Sequence, residues 1–374
     1  MAIVASEQQV VEAVCEARTA RAPYEIVGGG TKRALGRPTP SNLRALQVAG
    51  LSGIVKYEPE ELIMTVLPGT LVREIEMALT AKGQRLGFDP PDWGPLLGAP
   101  ARSGTIGGAI SADISGSARV RYGAVRDQLL GFRAVNGFGE AFKAGGKVVK
   151  NVTGFDMPKL VCGAFGTLCV LTELTLRVFP RAARAQTFVL GEMAPQEGFA
   201  LLRRVWASPL EATGLAYSDN RVAVRLEGET GPLAEKAAML RAMCGGRDPE
   251  VADESLFPAI ADGTGFSKTD RCVWRVYLPP SRAADMAAQF PAAGLAGDCA
   301  GGILWIESDD HAHVRRAANA LGGHAVLIRA DERTRARIDV FEAEDRVRAQ
   351  LTRSVKAAFD PLGLFNPGRM WDTV

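Results

Sequence analysis

Between Gly94 and Gly166 the chain carries 15 glycines in 73 residues, about a fifth of the positions against an ordinary share of roughly 7%. Framework strands and helices do not tolerate that density, because each glycine forfeits a packing side chain and adds backbone entropy to the unfolded state. The stretch is not a linker either: Ile106, Ile110, Leu129, Leu130, Phe132, Val135, Leu160 and Val161 run through it at core density. It reads as packed protein in which main chain repeatedly comes close to something, either other backbone or a ligand.

A second glycine feature precedes it. The apolar run Tyr24 to Val27 reads as a strand that enters Gly28-Gly29-Gly30-Thr31 directly. Successive glycines can turn several backbone N–H groups toward one point and cradle phosphate oxygens, although a plain strand-to-loop turn would use the same residues. If the cradle reading holds, a bulky side chain at Gly29 should abolish ligand retention. The spacing is not that of a G-x-G-x-x-G fingerprint with its ribose-binding acid, and no G-x-x-x-x-G-K-[ST] loop occurs. Further along, Ser103-Gly104-Thr105-Ile106-Gly107-Gly108-Ala109-Ile110-Ser111-Ala112-Asp113 sets small residues at the expected start of a helix, which suits a diphosphate or a flat ring against main chain, or simply close packing. Ser115-Gly116-Ser117 and Arg121-Tyr122-Gly123 continue it. A third group comprises Lys150-Asn151-Val152-Thr153-Gly154-Phe155-Asp156 and Gly163-Ala164-Phe165-Gly166-Thr167-Leu168.

Around these motifs the hydrophobic pattern predicts a helix from Ser6, a strand from Leu62 to Leu67, and a helix after Pro68-Gly69 with Thr70 as its N-cap. Leu168 to Val178 alternates as a half-buried strand. Beyond Pro180 the glycines thin out. Strands near 187–190, 213–217, 222–227, 272–278, 302–307 and 325–329 interleave with helices near 195–206, 233–244, 282–290 and 311–321, predicting an antiparallel sheet with helices on one face. A last helix over 343–358 leads to Asn366-Pro367-Gly368-Arg369.

Composition closes several doors. The 374 residues hold 44 basic and 42 acidic side chains, a formal charge of +2 that offers no nucleic-acid footprint. Six cysteines, at 15, 162, 169, 244, 272 and 299, form no C-x-x-C pair, so no cluster or metal site is expected. No apolar run approaches the roughly 18 residues that cross a bilayer, and no signal-like start is present, so a cytoplasmic address is expected.

The order of these motifs resembles the FAD-binding domain of the vanillyl-alcohol oxidase and p-cresol methylhydroxylase family: G-G-G-T, P-G-T before a helix, G-T-I-G-G, R-Y-G-x-x-x-D, K-x-x-T-G-x-D and G-x-x-G-T-L, across residues 24 to 180. Within it the chain is most similar to the smaller FAD-binding subunits of bacterial glycolate oxidases. The resemblance implies an α+β fold: a two-subdomain FAD-binding domain over 1–180, an antiparallel-sheet cap over 181–342, and a helix and tail over 343–374 that return to the FAD domain. It implies that Gly28, Gly29, Gly30 and Thr31 hold the diphosphate through their amides, with Lys32 standing where many relatives have serine. Pro90, Pro91 and Asp92 would lie near the isoalloxazine, Gly104, Thr105, Gly107 and Gly108 along the diphosphate and ribityl chain, and Ala112, Gly116 and Val170 against flavin or adenine.

The three histidines, His311, His313 and His324, all lie in the C-terminal half, and Cys162 and Cys169 sit in apolar surroundings, so FAD is expected to be non-covalent. The resemblance also implies partners: a larger FAD-binding subunit and an iron-sulfur subunit, with a small 2-hydroxy acid as substrate of a complex that is cytoplasmic or peripheral to a membrane. The larger subunit's H-x-G-D-G-N metal motif is absent from this chain. A base at His311 or His324 and a carboxylate clamp at Arg275 or Arg329 are candidates by residue type alone. Two other readings stand beside this one: a self-sufficient FAD-dependent hydroxy-acid or polyol dehydrogenase, and a scaffold that has lost its flavin. Intact glycines oppose the scaffold, and the missing motif opposes self-sufficiency.

Overall fold

The computed structural model describes residues 2–146, 155–291 and 294–371. The expected segment Lys150 to Gly154 lies outside them. The chain divides into two compact units, one formed by 1–114, 124–181 and 332–374, the other by 115–123 and 182–331. These units do not follow the linear boundaries expected above: the segment 115–123 joins the second unit, and the return to the first begins at 332.

In the first unit, β1 (Ala2–Ile3), β2 (Tyr24–Val27) and β3 (Arg44–Gln47) form a parallel sheet in the order β1-β3-β2. Helix α1 (Glu7–Ala20) connects β1 to β2. It starts at Ser6, whose hydroxyl accepts from the Gln9 amide, and buries Val10, Ala13, Val14 and Ala17. That stripe meets Leu46 and Val48, Val135 and Val170, and Leu364 and Phe365 of the tail in one core.

A second sheet is antiparallel. Its strands β4 (Ile54–Glu58), β5 (Ile63–Val66), β6 (Leu129–Asn136), β7 (Ala141–Gly145) and β8 (Cys169–Arg177) are ordered β4-β5-β8-β6-β7. Helices α2 (Val72–Thr80) and α3 (Ile106–Ser111) cover it, burying Ile75, Leu79, Ile106 and Ile110 against Leu174 and Leu176. Two local expectations are corrected here. Thr70 is not the cap of α2, which begins after Leu71; its hydroxyl instead donates to Leu67 O at 2.7 Å and accepts from the Gly53 amide, pinning the turn. Nor is β8 half-buried. The β6–β8 register slips between Arg133 and Ala134, so that Arg133 faces Glu173 and Ala134 faces Leu171. The bulge inverts the alternation, which turns Cys169 and Leu171 toward the same core as Leu174 and Leu176 and leaves Val170 on the other face.

The second unit is an eight-stranded antiparallel sheet. Its strands are β9 (Arg184–Leu190), β10 (Gly214–Ser218), β11 (Arg221–Gly228), β12 (Glu250–Ala252), β13 (Val273–Tyr277), β14 (Leu295–Asp298), β15 (Ile303–Glu307) and β16 (His324–Arg329). They run in the order β12-β9-β11-β10-β14-β15-β13-β16. Helices α4 (Pro195–Trp206), α5 (Thr230–Met243) and α6 (His311–Ala320) accompany them. The segment 115–123 is held by polar bonds of this unit: buried Arg275 donates to Ser115 O, and buried Ser117 donates to Asp298 Oδ2 at 2.7 Å. The chain then returns to the first unit and ends in α7 (Arg346–Phe359) and the tail.

Candidate functional site

A cleft of the first unit opens where β2 ends. It encloses about 850 Å³ including its mouth and is lined by the turn 28–32, by one face of α3, by β8, and by Asn366 and Arg369. Each wall follows from local chemistry. Helix α3 sends Ile106 and Ile110 into the core, which leaves Gly108, Ser111 and Ala112 as a face nearly without side chains. Thr105 caps this short helix by accepting from the Gly108 amide at 3.3 Å. The amides of Ile106 and Gly107 are already given to Thr70 O and Pro68 O. Main-chain donors at the start of α3 are therefore used by the protein.

The turn after β2 behaves differently. Among the described residues, the amides of Gly29, Gly30 and Thr31 make no hydrogen bond. Gly30 has φ +73°, a backbone that L side chains adopt only with strain. Gly28 and Gly29 are required for a further reason. A Cβ on Gly29 would fall 2.1 Å from Ser103 O, and one on Gly28 would fall 2.7 Å from Thr105 Oγ1, so this turn is pressed onto the segment leading into α3. By contrast, a Cβ on Gly108 meets nothing closer than Thr105 Oγ1 at 3.3 Å, and one on Gly104 nothing closer than the Lys32 Nζ at 3.5 Å.

Charge in the cleft is unbalanced toward the positive, with Lys32, Arg33 and Arg369 against Glu25. Arg33 pairs with Glu25 through two nitrogens, 2.9 Å for the Nε bond. Arg369 donates to Lys32 O at 2.9 Å, and burial pushes its guanidinium down to about 10 despite the nearby Glu25. Lys32 is pushed down to about 8, again by burial, with the field of Asp92 opposing the shift. Cys169 lines the cleft too, and its burial raises the thiol to about 12, so no thiolate forms there near neutrality.

The tail closes one end. Asn366 accepts from the Ile26 amide at 2.8 Å and donates to Phe165 O at 2.7 Å, bridging β2 and the loop before β8. Lys356 of α7, buried, donates to Thr167 O, Phe365 O and Asp360.

Of the expected site residues, the structure brings together Gly28, Gly29, Gly30, Thr31, Lys32, Thr105, Gly107, Gly108, Ala112 and Val170 around this cleft. Gly104 stands beside the Lys32 ammonium. Pro90, Pro91 and Asp92 are not among its lining residues; Asp92 accepts from the amides of Gly94 and Arg102 and reaches Lys32 only through its field. Gly116 belongs to the second unit. Sequence reasoning missed Glu25, Arg33, Phe165 and Gly166 as lining residues. Phe165 and Gly166 lay inside a quoted motif, whereas Glu25 carried no signal, being the polar residue of an otherwise apolar strand. The residue-type candidates for base and clamp do not line the cleft: Arg275 is 1% exposed and bonded to Ser115, Arg329 donates to Phe266 O, and His324 stacks on Tyr277 with ring centroids 5.0 Å apart.

Three free amides in a row, a wall nearly bare of side chains, and an excess of cations suit FAD, a dinucleotide carrying two phosphates. The residues present fit.

Comparison with known proteins agrees in kind. A family model described as FAD binding domain matches residues 1–145. Glycolate oxidase subunit GlcE of Escherichia coli (strain K12) is 34% identical over 371 residues, 97% of each chain. Glycolate oxidase subunit GlcD of Bacillus subtilis (strain 168) is 31% identical over 170 residues, 45% of this chain and 34% of that one. D-lactate dehydrogenase of Anaerostipes hadrus is 26% identical over 182 residues, 49% of this chain and 36% of that one. Among solved structures, alkyldihydroxyacetonephosphate synthase superposes over 98% of this chain and 75% of its own with a TM-score of 0.69, at 14% identity, a likeness of fold.

Proposed function

The chain belongs to the family of the glycolate oxidase subunit GlcE, built on an FAD-binding domain, and from that premise we propose that it is the FAD-binding subunit of a glycolate oxidase complex. The observation that carries the proposal is a near full-length relative named as such a subunit, whose likeness here extends over a cleft with free amides and surplus positive charge. The complex oxidises glycolate to glyoxylate. Bound FAD supplies an acceptor for the hydride and a store of two electrons.

The chain's own residues bind and orient that group. The amides of Gly29, Gly30 and Thr31 and the Lys32 ammonium are the donors available to its diphosphate, Gly108 and Ala112 leave room for it, and Val170 and Leu171 present an apolar wall. The buried Cys169 thiol offers no nucleophile for attachment, which supports FAD held without a covalent bond. No histidine lines the cleft. A proton acceptor for the substrate hydroxyl is therefore better sought in a partner subunit, and the proposed partners are a larger FAD-binding subunit and an iron-sulfur subunit. Among the described residues no helix is long and apolar enough to cross a membrane; a cytoplasmic complex, peripheral to a membrane at most, is consistent with that.

The purified chain is expected to be yellow, with a flavin spectrum and acid-releasable FAD. Mixed anaerobically with glycolate it should bleach slowly or not at all until the partner subunits are added. Fast bleaching by the chain alone would establish the self-sufficient dehydrogenase instead, and a folded chain that neither carries nor takes up flavin would establish the scaffold.

A further inference from the structure

Lys32 is the least satisfied cation of the cleft. Its ammonium has three protons to donate, yet among the described residues it makes one hydrogen bond, a long one of 3.4 Å to the Thr31 hydroxyl, and no ion pair. The residue is partly exposed through the cleft mouth, but protein surrounds its charged end on nearly every side, and withdrawal from water is the first cause of its lowered pKa of about 8. A buried ammonium without a counter-ion is costly and persists only where something anionic repays it. No carboxylate pairs with it directly, and Asp92 helps only through its field. Asp92 is committed to the amides of Gly94 and Arg102, and Glu25 to Arg33. The ammonium instead lies beside the bare positions Gly104 and Gly108, where added Cβ atoms would come within 3.5 and 3.8 Å of Nζ, in the cleft that the free amides of 29–31 also line.

We propose that Lys32 is the counter-ion of the FAD diphosphate, and that its protonation couples retention of the cofactor to pH. The assignment rests on the reading of the cleft as an FAD site. Backbone amides hold a diphosphate equally well at any pH, whereas an ammonium holds it only while protonated. The charged groups facing Lys32 are Asp92, Glu25, Arg33 and Arg369, and the two guanidinium groups stay protonated from pH 7 to 9, Arg369 even at its lowered pKa of about 10. Lys32 is the group that changes charge in that window. Binding of FAD must then take up a proton above pH 8, and the dissociation constant should climb about tenfold from pH 7 to 9.

The test uses the full chain stripped of flavin, titrated at pH 7, 8 and 9 with FAD and, separately, with riboflavin, which has the ring and ribityl chain but no phosphate. Wild type should show the tenfold rise for FAD and a flat profile for riboflavin. Lys32→Met should bind FAD at least about tenfold more weakly at pH 7, with no pH slope, and bind riboflavin as wild type does. Lys32→Arg, which cannot titrate in this range, should keep FAD binding at pH 9. Thermal melting of the apo forms gives a second readout: removing a buried unpaired charge should leave Lys32→Met at least as stable as wild type while it loses cofactor. The proposal is overturned if Lys32→Met keeps wild-type FAD affinity and slope, with the FAD reading itself intact, or if riboflavin is weakened as much as FAD. Failure of wild type to bind FAD at any pH would overturn both.

Discussion

Gly29 and Gly108 show that two glycines in one cleft can be glycine for opposite reasons. At Gly29 the constraint is the protein's own: a Cβ there would overlap Ser103 O at 2.1 Å. The loss of ligand expected from a bulky residue at this position therefore has a different cause, since backbone must move before any ligand is met. Gly29→Val should cost about 3 kcal/mol of stability in urea unfolding, whether or not flavin is present. At Gly108 the nearest atom is a side-chain oxygen and not backbone, Thr105 Oγ1 at 3.3 Å, which has to give by only a few tenths of an ångström. Gly108→Val should melt within a few degrees of apo wild type yet lose most of its flavin, read as the ratio of flavin to protein absorbance after gel filtration. A Gly29→Val chain that folds normally, or a Gly108→Val chain that stays yellow, would contradict the division. Sequence shows where glycines cluster; which neighbour forbids a side chain is a property of tertiary contact, and only the structure separates the two.

At the level of elements, what could be read in advance was what has a local cause. The helix Pro195–Trp206 and the strand Tyr24–Val27 were expected with these limits, because proline at a first helical position and a glycine run after a strand are local signals. The inverted faces of β8 were not, since a bulge depends on the partner strand. The short strands β12 and β14, of three and four residues, were also missed, being too brief to show a period. Long-range ion pairs lie in the same class. Glu7, in the first turn of α1, accepts from Arg133 through both carboxylate oxygens and from the Thr172 hydroxyl at 2.7 Å, which ties α1 to β6 and β8. The Arg133 hydrogen bond is the leading cause holding the Glu7 carboxyl below its ordinary range, with partial burial opposing it. A carboxyl with a depressed folded pKa contributes stability above its unfolded value of about 4.3 and loses that contribution as pH falls through the folded value. With both side chains partly exposed, the contribution is about 1 kcal/mol. Glu7→Gln should be less stable than wild type by that amount at pH 7 and should converge on it near pH 3, in urea unfolding at the two pH values.

For the molecule as a whole, the two compact units, 1–114 with 124–181 and 332–374, and 115–123 with 182–331, each have their own sheet and buried core. The cleft that fits FAD is lined by residues of the first unit alone. A ligand that binds only the folded form of one unit stabilises that unit by mass action, by about 2.7 kcal/mol when free ligand reaches a hundred times its dissociation constant. No residue of the second unit, whose eight strands pair with one another, is among those lining the cleft. Calorimetry of the stripped chain should therefore resolve two transitions, and added FAD should raise one of them while leaving the other in place. Limited proteolysis during the melt would assign them, with cuts in 182–331 following the transition that does not move. The chain passes between the units at 114, 123, 181 and 331, so the second unit is not a simple appendage and could have been bound into a single cooperative block. A single transition moved entire by FAD would show that it is, and would make the dinucleotide a determinant of stability for the whole chain.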